Sequence, residues 1–198
     1  MIKTDKINIL VKDGVKMQFY EFGKEGNLTV LLIHGTASSW QGEFAEVIDG
    51  LAGEYRIICV GFDGHDKNDH NTFRHINDQI LGIEKYIKER YNGHLYGVYG
   101  SSLGGSVLGK LLERKNVQID IAITGSTDFE QNTKIYCTYG TKEDTKTLTR
   151  RYIQHFPKAE LVALGGMHHE EFLVFNPDEW IDMMKHLLKR EAYSYPNG

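Results

Sequence analysis

The sequence predicts an α/β protein: a three-layer α/β/α sandwich with a mostly parallel sheet and an antiparallel hairpin at its N-terminal end. Three observations carry this. Apolar, β-prone runs alternate with helical segments along most of the chain, the pattern of strands joined by crossover helices. Several of those runs are continuously apolar, as strands buried on both faces must be. The first two runs instead flank Asp13-Gly14, a tight-turn dipeptide that joins antiparallel neighbours.

The elements follow in order. Residues 7–11 and 15–20 make the hairpin, and residues 28–33 make the first strand buried on both sides. Residues 41–52 read as a helix, with Phe44, Val47, Ile48 and Leu51 on one stripe, and residues 55–62 as the next strand. Residues 76–91 form an amphipathic helix through Ile76, Ile80, Ile83 and Ile87. A strand over 94–99 leads into a turn and a helix over 106–114 that carries Val107, Leu108, Leu111 and Leu112. Strands over 119–124 and 133–139, a helix over 147–155 and a strand over 160–164 come next. The closing helix spans 177–191, with Pro177 in its first turn, where a missing N–H costs little. The tail, 194–198, reads as frayed. One connection is short: about seven residues, 125–131, separate two strands that must run parallel, whereas a crossover usually takes a dozen or more. Either a very short helical turn makes that crossing, or one of the two strands lies elsewhere.

A chain of 198 residues is expected to form a single domain, 1–198, with room for a full core. The net charge is −4 and no basic stripe stands out, which argues against a nucleic-acid partner. Cys59 and Cys137 both fall in predicted strands and read as buried reduced thiols, neither a disulfide framework nor a metal site. No apolar run is long enough for a leader or a membrane span, so a cytoplasmic location is expected. The oligomeric state is not legible.

The stretch that bears chemistry is Gly100-Ser101-Ser102-Leu103-Gly104, set between a strand and a helix. A serine on such a turn has its oxygen lifted out of the backbone at the mouth of a helix, where amide N–H groups receive negative charge. Gly100 and Gly104 lie two residues either side of Ser102, where side chains would collide as strand and helix fold back. A serine needs a base, an orienting acid and an oxyanion hole, and ligands gather at the carboxyl ends of parallel strands. Past those ends lie His34-Gly35-Thr36, Ser102, Gly140-Thr141-Lys142-Glu143-Asp144 and Gly165-Gly166-Met167-His168-His169-Glu170-Glu171. Their chain order is serine, acid, histidine.

On these segments the chain resembles the α/β-hydrolase fold superfamily of esterases, lipases and aminopeptidases, over residues 28–188. His34-Gly35 resembles the oxyanion loop, Phe62-Asp63-Gly64-His65 the loop after the next strand, and Gly100 to Gly105 the elbow. The resemblance implies Ser102 as nucleophile, His169 as base with His168 as its rival, and Asp144 as orienting acid with Asp128 as the alternative. It implies an oxyanion hole made by the backbone N–H groups of Thr36 and Leu103, with no cofactor and no metal. His34 is expected to brace the oxyanion loop. The set His65, Asp66, Asp69 and His70 matches no zinc spacing. Trp40 and Phe62 read either as walls of an acyl pocket or as core. Relatives carry a helical lid where this chain has its short 125–131 connection, so the expected substrate is a small ester-like molecule at an open site. An acyltransferase or peptidase using the same triad, and a non-catalytic sensor that retains the fold, are the alternatives.

Overall fold

Between Leu28 and Ile33 there is no charged side chain, and the strand formed there is covered on both faces. In the computed structural model this strand sits in the middle of an eight-stranded sheet. The structure describes residues 5–10, 16–65, 73, 75–124, 134–155, 157–168 and 171–193. In chain order the elements are β1 (Asp5–Leu10), β2 (Lys16–Phe22), β3 (Thr29–Ile33), α1 (Trp40–Ala52), β4 (Arg56–Gly61) and α2 (Ile76–Tyr91). Then come β5 (His94–Gly100), α3 (Leu103–Arg114), β6 (Gln118–Thr124), β7 (Lys134–Gly140) and α4 (Thr145–His155). The chain continues through β8 (Glu160–Leu164), α5 (Glu171–Phe175) and α6 (Pro177–Leu188). The strand order is β1-β2-β4-β3-β5-β6-β7-β8. The pairs β1·β2 and β2·β4 are antiparallel and all others parallel, as the predicted fold class requires.

The period of two along each strand sorts side chains onto two cores. On one face Val30, Leu32, Ile57 and Cys59 pack against Phe44, Val47 and Leu51 of α1 and Trp180, Met184 and Leu187 of α6. On the other, Leu31, Ile33, Ile58 and Val60 pack against Ile80, Ile83 and Ile87 of α2 and Val107, Leu108 and Leu111 of α3. Both cysteines are buried free thiols, and burial pushes Cys59 well above its ordinary pKa. Among the described residues, no helix is long and apolar enough to cross a membrane.

Boundaries depart from expectation where local backbone decides them. Helix α1 begins at Trp40 because Ser39 caps it, its side chain accepting from the Gly42 N–H at 3.2 Å. Helix α6 stops at Leu188 rather than 191, with Arg190 at φ 59° just beyond. The short connection is clarified in part: β6 and β7 are parallel neighbours, with Ala122 opposite Ile135, so neither strand is displaced. How the chain crosses between them, and the Asp13-Gly14 turn, lie outside the described residues.

At the amino-terminal edge of the sheet a carboxylate is buried. Glu21 on β2 has no exposed surface and accepts from the hydroxyls of Tyr86 and Tyr91 and from the guanidinium groups of Arg56 and Arg90. Burial alone would raise its carboxyl pKa. The hydrogen bonds from Tyr86, Tyr91 and Arg56, with the Arg56 charge, outweigh burial and hold it below its ordinary value. A depressed folded-state value means that this stabilisation is present above the ordinary range and is lost as pH falls through the folded value. Glu21→Ala strands buried Arg56 and is expected to cost about 3–5 kcal/mol in urea unfolding at neutral pH. The stability gap between wild type and Glu21→Gln is expected to narrow below about pH 4.

Candidate active site

Strands β3 and β5 are parallel neighbours, with Ile33 opposite Gly100, so the loops that follow them emerge side by side. The ladder runs one step further, with the Ser101 N–H on the Ile33 carbonyl at 3.0 Å. The next residue, Ser102, turns sharply at φ 46° and ψ −108° and stands at the N-cap of α3 without making a side-chain cap bond. The Gly104 N–H closes back on the Ser101 carbonyl at 2.6 Å. A Cβ on Gly104 would lie 2.1 Å from the Ile33 oxygen, and one on Gly100 would lie 2.5 Å from the Gly104 oxygen. The expected collision is therefore real for both, though Gly104 is crowded by the neighbouring strand rather than by its own. Helix α3 begins at Leu103, three residues earlier than the apolar stripe suggests, because the two glycines of its first turn carry no stripe.

The loop after β3, His34-Gly35-Thr36, lies against this turn. A Cβ on Gly35 would sit 3.4 Å from the Ser102 Cβ and 3.4 Å from the Ser101 Oγ. Among the described residues, the backbone N–H groups of Thr36 and Leu103 donate to no acceptor. His34 is fully buried; its Nδ1 lies 2.9 Å from the Gly35 carbonyl, and its Nε2 accepts the Phe62 N–H at 3.4 Å. A carbonyl only accepts and an amide only donates, so the ring is the neutral tautomer with its proton on Nδ1. His34 braces the loop as expected. From the first turn of α1, Glu43 Oε1 accepts the Gly35 N–H at 2.9 Å, a contact that nothing in the local sequence announces.

The second half of the site is built after β7 and β8. The Thr141 N–H donates to the Leu164 carbonyl at 3.0 Å, the Lys142 N–H to the Met167 carbonyl at 2.9 Å, and the Gly166 N–H to Thr141 Oγ1 at 2.8 Å. The loops pass so closely that a Cβ on Gly140 would lie 2.2 Å from the Met167 oxygen. The two adjacent carboxylates go to different places. Asp144 is exposed and accepts from the Thr147 hydroxyl at 2.7 Å and the Thr147 N–H at 3.3 Å at the start of α4. Those bonds hold its carboxyl below the usual range. Glu143 turns back to accept the Gly140 N–H at 2.8 Å. With His168, Tyr99, Phe172 and Trp180 it lines a cavity of about 20 Å³, room for one water and not for an acyl chain. His169 and Asp128 lie outside the described residues, as do Asp66, Asp69 and His70. Phe62 is fully buried against His34 and Phe73, and Trp40 packs on Tyr20 and Phe22, so both serve packing.

An esterase of Pyrococcus furiosus superposes with a TM-score of 0.74 at 19% identity, over 96% of this chain and 90% of that one. An α/β-hydrolase family protein of Desulfitobacterium hafniense superposes with a TM-score of 0.76 at 13% identity, over 86% and 99%. The chain has the α/β-hydrolase fold. No family model matches its sequence. An uncharacterised hydrolase of Saccharomyces cerevisiae is 34% identical over 107 residues, 48% of this chain and 34% of that protein. The match spans about a third of the length of the curated relatives it finds.

In an α/β-hydrolase fold the turn at Ser102 holds a non-glycine residue where an L side chain is strained, at a cost of about 1–3 kcal/mol. Glycine relieves that strain and alanine retains it. Ser102→Gly is expected to be about 1 kcal/mol more stable than Ser102→Ala in chemical denaturation, although glycine is ordinarily the less stabilising residue.

Proposed function

We propose that this protein hydrolyses ester bonds in small ester-like substrates, with Ser102 as the nucleophile. One observation carries the reading: Ser102 is held at φ 46° at the mouth of α3, against the loop that carries Gly35 and Thr36. Strain of this kind persists only where the surroundings impose it, and it clusters at sites of chemistry. The esterase among the structural neighbours and the hydrolase among the sequence relatives support the same reaction class.

In this mechanism Ser102 Oγ attacks the ester carbonyl carbon while the His169 imidazole takes the hydroxyl proton. The carbonyl oxygen gains the electron pair and accepts hydrogen bonds from the Thr36 and Leu103 amides, each worth about 2.7–4 kcal/mol of barrier. The tetrahedral adduct re-forms its carbonyl and expels the alkoxide, which takes the proton from the imidazolium. Water, deprotonated by the same imidazole, then releases the acid from the acyl-serine. No step needs a cofactor.

The orienting carboxylate comes from the loop after β7. Asp144 is the residue the sequence suggests. A second reading assigns the role to Glu143, favoured because this residue lines the cavity that His168 also lines, whereas Asp144 is exposed and engaged by Thr147. Glu143→Gln keeps an acceptor for the Gly140 amide and removes the charge. Under the second reading it lowers kcat/KM by at least about 10²-fold, while Asp144→Asn stays near wild type. The opposite ranking returns the role to Asp144.

The reaction itself is checked with p-nitrophenyl acetate and butyrate. Wild type is expected to turn both over and to be labelled covalently by a fluorophosphonate, and Ser102→Ala to do neither. Equal rates in the two proteins would end the proposal.

A further inference from the structure

We propose that Glu43, in the first turn of α1, is a positioning residue for the oxyanion hole, an inference that rests on the hydrolase reading above. Gly35 is gripped on both of its peptide groups. Its N–H donates to Glu43 Oε1 at 2.9 Å, and its carbonyl accepts from His34 Nδ1 at 2.9 Å. The peptide that joins Gly35 to Thr36 is planar and trans, so the Thr36 N–H points opposite to the Gly35 carbonyl. With that carbonyl held against the buried His34 ring, the Thr36 N–H faces the other way. His34 therefore orients the second peptide plane and Glu43 the first.

The residue between the planes is glycine, whose two dihedral angles are the least restrained of any residue, so neither plane fixes the other. The His34 contact sets the direction of the Thr36 N–H, and the Glu43 contact holds the Gly35 Cα from which that peptide departs and so sets its position. The loop passes close by at this point: a Cβ on Gly35 would lie 3.1 Å from Glu43 Oε1 and 3.4 Å from the Ser102 Cβ. The Glu43 carboxylate thus grips the loop at the point where it passes the nucleophile. A carboxylate in the first turn of a helix is favoured by the amide dipoles there, and a charged acceptor makes a shorter, stronger bond than a neutral one. Because α1 is packed into the core through Phe44 and Val47, the grip is referred to a rigid element rather than to another loop.

The test measures kcat and KM with p-nitrophenyl acetate, together with hydrogen exchange at the Gly35 amide, in the full chain. In Glu43→Ala, kcat is expected to fall by about 10²-fold, the penalty of a donor misplaced by about an ångström, with KM near that of wild type. Glu43→Gln, which keeps an oxygen for the Gly35 N–H, is expected to stay near wild type. Exchange at Gly35 quickens in the first variant and not in the second. Glu43→Met, of similar length but without the acceptor, reads as Glu43→Ala does should the smaller residue unfold the helix. An undiminished kcat in Glu43→Ala or Glu43→Met, equal losses in Glu43→Ala and Glu43→Gln, or unchanged Gly35 exchange would each overturn the inference. A wild type that neither turns over the ester nor takes the fluorophosphonate label sinks the hydrolase reading instead, and the inference with it.

Discussion

The space between the first turn of α3 and the end of β3 is too small for a single methyl group. That crowding governs the rest of the site. With the Gly104 Cα held against the Ile33 carbonyl, the chain leaving β5 reverses within two residues, and it does so with Ser102 at positive φ. The same contact ties Ser102 to β3, whose continuation is the His34-Gly35-Thr36 loop. Strand order explains why the two loops meet here. From β3 the chain passes to β4 through α1 on one face, and it returns to β5 through α2 on the other. The loops after β3 and β5 therefore lead to opposite faces from the carboxyl edge, the place where open α/β sheets bind ligands.

The other half of the candidate site is made independently. The loops after β7 and β8 are stapled to each other by three hydrogen bonds through Thr141, Lys142 and Gly166, with Gly140 pressed on the Met167 carbonyl. Three strand spacings, about 14 Å, separate β8 from β5. What registers one half against the other is aromatic packing beneath the loops. Tyr99 on β5 meets Trp180 on α6 edge-to-face at 5.0 Å and Phe44 on α1 at 6.0 Å, while Phe172 on α5 lines the cavity that Glu143 and His168 share. A change in that packing would move the halves relative to one another without touching either.

The sheet and most helices were legible because burial on two faces forces continuous apolar runs, and burial on one forces a stripe. The elbow was legible because its glycines are steric necessities that leave a string in the sequence. Three things were not. Helix α5, Glu-Phe-Leu-Val-Phe, is too short to display a period. That Glu143 turns back onto its loop while Asp144 faces solvent is a second, because adjacent residues with the same chemistry offer no pattern to separate them. The contact of Glu43 with Gly35 joins residues eight apart across a loop and a helix start, and an acidic residue in a first helical turn is already accounted for by the dipole. Each of these is a tertiary decision, made by close packing rather than by propensity.

The two ends of the sheet divide the work. At the carboxyl edge, Ala37 and Ser102 hold positive φ, and among the described residues the Thr36 and Leu103 amides have no acceptor. The two strained residues cost stability. At the amino edge, Glu21 is surrounded by two hydroxyls and two guanidiniums drawn from β4 and α2, so the charge buried there is met from every side. Removing partners from such a cluster is costly, which locks β2, β4 and α2 in one arrangement. Strand β4 lies directly beside β3, so what the amino edge fixes is the placement of the strand from which the His34-Gly35-Thr36 loop departs. The strained edge can therefore stay strained, because its position is set by contacts at the far end of the same strands, away from the candidate site.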